Sequence, residues 1–97
     1  MKDLSNTEIL RLIGARLKQY RLNLNVTQKE MAKQCGISLP TLQKMEAGTS
    51  RNISFSILLK VMRYLGIIEN IDRLVPEQPA SPYAKKQRQR IRHADIK

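Results

Sequence analysis

The sequence predicts an all-α fold: five short helices in one domain over residues 6–75, followed by a basic tail over 76–97 that is disordered in isolation. Three observations predict it. Apolar residues recur at helical rather than alternating spacing. Helix-start residues (Ser5, Thr27, Ser38, Ser54) and glycine stops (Gly36, Gly48, Gly66) punctuate the chain in turn. Strand signals are weak, with no Asn-Gly or Asp-Gly hairpin pair.

The first helix starts at Ser5-Asn6-Thr7-Glu8, which has the spacing of a capping box. Ile9, Ile13, Leu17 and Tyr20 then recur at helical spacing, with Leu10 and Leu24 beside them, and predict its buried face. It ends near Arg21 to Asn23. Thr27 opens the second helix, with Glu30 again at capping-box spacing. Met31, Ala32 and Cys35 form a narrow apolar face, and the small Ala32 suits a close helix crossing. Gly36 fits a left-handed stop, with Ile37 packing back on it.

Ser38 begins the third helix, and Pro40 is tolerated because first-turn amides have no partner within the helix. Leu42 and Met45 point inward, and Gly48 ends the helix. The fourth helix is expected from Ser54 as cap, with Phe55, Leu58, Leu59, Met62 and Leu65 inward, and stops at Gly66. Ile67, Ile68, Ile71, Leu74 and Val75 predict a short fifth helix. Its apolar content is excessive for so small a surface, so Ile68, Ile71 and Leu74 are expected at a dimer interface.

The second and third helices with their glycine turn, Thr27 to Gly48, read as a helix-turn-helix, a unit that places one helix in a DNA major groove. Composition agrees with a polyanionic partner. Eighteen basic and eight acidic residues give a net charge of +10. With 41% hydrophobic and 4% aromatic residues and no Trp, the core must be mostly Leu, Ile, Met and Val. A single cysteine permits no intramolecular disulfide and fits a reducing compartment. Met1 to Thr7 lacks a signal-peptide core, and no apolar run approaches the roughly 18 to 20 residues that span a bilayer. A cytoplasmic, nucleoid-associated protein is expected.

The run Thr27-Gln28-x-x-Met31-Ala32, then Gly36-Ile37-Ser38, then Leu42 and Glu46-x-Gly48, resembles the Xre/Cro-type helix-turn-helix family of prokaryotic and phage repressors. The resemblance covers about residues 6 to 75 and implies a five-helix lambda-repressor-like domain. It implies roles for particular residues. Thr27 and Gln28, at the positive end of the second helix, would meet phosphate, and Gln28 can also brace the recognition helix. Ser38, Leu39, Pro40, Thr41 and Lys44 would face DNA, with Lys44 the strong donor to guanine or phosphate. Leu39 is equally readable as a partly buried hydrophobe. Gln43 would lie near the DNA backbone. Arg51 and Asn52 match a loop touching phosphate or the minor groove. Arg21 and Glu46 match a partly buried salt bridge between the first and third helices. Family members often carry Gln where Leu39 and Pro40 stand, so shape readout is expected to carry more of the specificity.

From Pro76 on, three prolines within seven residues (Pro76, Pro79 and Pro82) are followed by Lys85, Lys86, Arg88, Arg90 and Arg92. The tail carries +4 of the charge and is read as contacting DNA or a protein partner. Leu65-Gly66-Ile67, Ile71-Asp72-x-Leu74, Pro76-Glu77, Ser81-Pro82 and the basic run together resemble HipB-type antitoxins, which partner HipA-type kinases. The leading expectation is a dimeric, sequence-specific repressor on an inverted-repeat operator, autoregulating a toxin–antitoxin operon. The alternatives are an Xre-type regulator without a toxin partner, or an interaction protein working mainly through its tail. A membrane-surface or RNA role for the tail leaves residues 27–48 unexplained. Cys35 reads as core, and His93 has no Cys cluster beside it. No metal, cofactor, nucleophile pair or paired-carboxylate site is expected, so no enzyme is expected.

Overall fold

The computed structural model describes residues 1–80. The tail contacts expected at Lys85, Lys86, Arg88, Arg90 and Arg92, and His93 with them, lie outside the described residues. The described chain is helical: α1 Asn6–Asn23, α2 Gln28–Cys35, α3 Leu39–Ala47, α4 Phe55–Leu65 and α5 Ile71–Leu74, with a 3-10 turn at Ile68–Asn70 before α5.

The local chemistry explains where each helix begins and ends. At α1 the Glu8 amide donates to Ser5 Oγ (3.1 Å) and the Ser5 amide donates to Glu8 Oε1 (2.9 Å), a complete capping box. Hydrogen bonding from Ser5 to the carboxylate, its backbone amide first and its side chain second, holds the Glu8 carboxyl below its usual range. At α2 one arm is made, from the Glu30 amide to Thr27 Oγ1 (3.1 Å). The Glu30 carboxylate instead accepts from Gln34 Nε2, one turn on, at 3.1 Å. Ser38 caps α3 by accepting from the Thr41 amide (3.2 Å). Ser54, expected as a side-chain cap, makes no such bond. α2, α3 and α4 all end on a left-handed glycine. After α2, the amides of Gly36 and Ile37 donate back to the carbonyls of Lys33 (3.2 Å) and Ala32 (3.0 Å), the double bond of a Schellman stop.

The core is Leu17, Met31, Ala32, Cys35, Leu42, Met45, Val61 and Leu65, with Val26, Ile37, Ile53, Ile57, Leu58, Tyr64 and Ile67 packed around it. Burial pushes the Cys35 thiol up, away from its reactive thiolate form. Two faces differ from the pattern that the apolar spacing predicts. On α1, Ile13 and Tyr20 are exposed, as is Leu24 just past its end, and the buried residues are Gly14, Leu17 and Arg21. On α4, Phe55 is exposed while Val61 is completely buried.

The reason on α1 is a backbone approach. A Cβ on Gly14 would fall against the Met45 carbonyl oxygen and 2.6 Å from that of Glu46. Only a residue without Cβ lets α1 cross α3 this closely, and the crossing turns the Gly14–Leu17–Arg21 side inward. Alanine normally stabilises a helix interior relative to glycine by roughly 0.5 to 1 kcal/mol. Here the clash dominates. Gly14→Ala is expected to lower stability by about 1 to 3 kcal/mol, read from the denaturant midpoint. A neutral or stabilising Gly14→Ala would contradict the close crossing.

Candidate nucleic-acid interface

α3 is held by a buried ion pair on its inner side. Arg21 Nε donates to Glu46 Oε2 at 2.8 Å, and Arg21 Nη2 donates to Glu46 Oε1 at 3.1 Å, a two-pronged pairing. The two side chains are 8% and 2% exposed, so both charges are out of water. Gln28 Nε2 donates to Glu46 Oε1 at 2.8 Å. Arg21 Nη1 donates to the Val26 carbonyl at 2.8 Å. Asn25 makes that last bond available. It sits at φ 60°, a left-handed conformation that Asn tolerates, and bends the chain after α1. One cluster therefore ties α1, the α1–α2 loop, the first residue of α2, and α3. Among the described residues no buried side-chain polar atom lacks a partner.

The outer side of α3 is correspondingly free. Leu42, Met45 and Glu46 are buried, while Pro40, Gln43, Lys44 and Ala47 are exposed. Leu39 and Thr41 are half-buried, so Leu39 packs along one side and leaves the other open. Ser38 Oγ and Thr41 Oγ1 lie 2.7 Å apart, and either can be the donor. The pair therefore has one hydroxyl proton to offer outward. Thr27 is exposed and spends its oxygen on the α2 cap. Gln28 is half-buried, with one amide proton committed to Glu46 and the other free. Arg51 and Asn52 are exposed in the loop after α3.

The exposed face of α3, the start of α2 and the 49–52 loop carry Lys44, Arg51, Gln43, Asn52 and backbone amides, and no acidic residue between Ser38 and Asn52 except the buried Glu46. Such a surface donates hydrogen bonds to anions. Among the described residues no group of three or more His, Cys, Asp or Glu is placed to hold a metal ion. No described helix is long and apolar enough to cross a membrane.

A profile of the helix-turn-helix family matches residues 17–68, more than half of the chain. The chain belongs to the Xre-type helix-turn-helix family. This is a family of DNA-binding regulators, and the match runs from the middle of α1 through α4. A propionyl-CoA carboxylase regulator from Cereibacter sphaeroides is 37% identical over 54 residues, which are 56% of this chain and 12% of that protein. The chain thus spans a small fraction of that regulator's length.

Sequence reading missed three contributors to this helix-turn-helix unit. Gly14 carried a signal, since a glycine inside a helical pattern needs a packing reason. Asn25 carried a weaker one, since Asn tolerates the left-handed conformation, and the Val26 carbonyl carried none, because backbone acceptors are anonymous in a sequence.

Removing one partner of a buried pair strands the other charge. Arg21→Ala is expected to cost about 3 to 5 kcal/mol of unfolding free energy. Replacing both, as Arg21→Met with Glu46→Met, is expected to recover most of that loss. Urea unfolding of the two single variants and the double variant measures the coupling. Additive losses would refute the pairing.

Proposed function

We propose that this chain is a sequence-specific transcriptional repressor that binds an inverted-repeat operator as a homodimer, with the N-terminal half of α3 in the major groove. The observation that carries the reading is the orientation of α3. Its inner side is fixed by Glu46 and its outer side, Pro40, Gln43, Lys44 and Ala47, is free of the core. A recognition helix needs both properties, because base contacts require a fixed register.

In this reading Lys44 donates to guanine O6/N7 or to a phosphate. The Ser38–Thr41 hydroxyl pair supplies one further donor. Leu39 and Pro40 give apolar contact to thymine methyls. Thr27, Gln28, Gln43, Arg51 and Asn52 grip phosphates and set the register. Gln28 has a double role: its bond to Glu46 couples a phosphate contact to the position of α3. With one strong base donor, much of the specificity falls to DNA shape. Dimerisation is assigned to the α5 end of the domain. Ile68 and Ile71 are half-buried there, while Leu74 and Val75 are 51% and 77% exposed. Half-sites then lie about one helical turn, roughly 10 bp, apart. The repressor is read as acting in the cytoplasm, on the nucleoid, as the autoregulating antitoxin of an operon with a HipA-type kinase. Support for this finer assignment is the proline-rich and basic sequence that follows α5.

Competition gel shifts with the DNA upstream of the gene test the repressor reading. Promoter DNA is expected to compete about a thousandfold better than random DNA at physiological salt. Lys44→Ala is expected to erode that discrimination by about 1 to 3 kcal/mol. Equal competition by random DNA would sink sequence specificity. Truncation after Val75 is expected to abolish capture of the kinase while operator binding persists.

A further inference from the structure

A shallow concavity lies between the first turns of α1 and the loop that leaves α3. It is lined by Thr7, Leu10, Arg11, Gly48, Thr49 and Arg51. Two guanidinium-bearing residues and two hydroxyls therefore border one hollow, with no acidic residue in its lining. Among the described residues neither arginine has a hydrogen-bond or ion-pair partner. Glu8, one turn before Arg11, feels that charge, but its carboxylate is turned onto the Ser5 amide at 2.9 Å. Two cationic side chains thus border one hollow whose lining holds no carboxylate, an arrangement that an anion would complete.

The proximity is built into the fold. A Cβ on Gly48 would lie 2.8 Å from the Arg11 backbone nitrogen and 2.9 Å from its Cγ. α1 thus rests on the residue that ends α3, and Thr49 follows directly. Thr49 is pinned in turn, its amide donating to the Lys44 carbonyl at 3.1 Å. Its hydroxyl has only a long 3.5 Å bond to that same oxygen, which a charged acceptor would displace.

We infer that this hollow is a seat for a phosphate of the DNA backbone, held by Arg11, Arg51, Thr7 and Thr49. The inference rests on the DNA-binding reading above. Guanidinium forks match phosphate oxygens, and hydroxyls fill the remaining acceptor sites. DNA is the favoured source because of where the hollow stands. It opens at the end of α3, one turn past Lys44, where a strand bordering the occupied groove would run. Arg11, on the first helix and far in sequence from the helix-turn-helix, becomes a second anchor beside Arg51.

The test is fluorescence anisotropy of labelled promoter and random duplexes across a chloride series, with wild type, Arg11→Gln, Arg51→Gln and Lys44→Ala. Arg11 is exposed, so Arg11→Gln is expected to melt as wild type does. It should weaken both duplexes alike, by about fivefold to tenfold at 0.1 M salt, and flatten the log affinity against log salt slope by about 1. Lys44→Ala should instead fall mainly on promoter DNA. Unchanged affinity and slope for Arg11→Gln would overturn the seat while leaving the DNA reading intact. Loss confined to promoter DNA would also overturn it, since a phosphate contact carries no sequence information. A second arm titrates inorganic phosphate and follows the Thr49 and Arg51 amide signals by NMR. If wild type binds no duplex yet phosphate shifts those signals, and Arg11→Gln abolishes the shift, a free phosphate is the ligand and both DNA claims fail.

Discussion

The carboxylate of Glu46 is the constraint on which the rest of the structure depends. It lies on the inner side of α3, out of water, where an unpaired charge would be prohibitively expensive. Three N–H groups reach it, two from Arg21 and one from Gln28. Arg21 spends a further donor on the Val26 carbonyl. An apolar core can tolerate a rotated or shifted helix at modest cost, because methyl groups are interchangeable. A carboxylate with fixed donors on two other segments cannot. Buried pairs often add little net stability, since desolvation offsets attraction. What this one supplies is a single arrangement of α1, α2 and α3.

That arrangement has a direct bearing on the outer surface. With Glu46, Met45 and Leu42 turned in, the helical period turns Pro40, Gln43, Lys44 and Ala47 out. Gly14 sets the spacing by letting α1 lie against the backbone of α3, and Gly48 repeats the device one turn further along. The same close crossing brings Arg11 beside the loop that carries Arg51. The scaffold and the proposed DNA-facing side are therefore two sides of one packing solution. Gln28 belongs to both, because its side chain braces α3 while its backbone opens α2.

Much of this was legible in the sequence, for identifiable reasons. Capping residues and glycine stops act within a few positions, so Ser5, Thr27, Ser38, Gly36, Gly48 and Gly66 marked the helices well. The α2 and α3 faces were legible because Met31, Ala32, Cys35, Leu42 and Met45 are apolar and buried together. The α1 face was not. Its inward stripe contains a glycine and an arginine, which apolar periodicity assigns outward, so Ile13 and Tyr20 were read as core in their place. Val61 was missed on α4 because its apolar neighbours Leu58, Leu59 and Met62 satisfy the period equally well. Arg21 and Glu46 are 25 residues apart, and only the family resemblance paired them in advance. The hollow beside Arg11 depends on a tertiary crossing and left no local trace.

The central claim is that the locked α3 presents a DNA-reading face. An NMR titration of the isotopically labelled protein with its own promoter duplex tests it most directly. The largest amide shifts are expected at residues 27–28, 38–44 and 49–52, while the α5 end and the outer side of α4 stay unperturbed. Shifts concentrated on α4 or α5, with residues 38–44 silent, would contradict it.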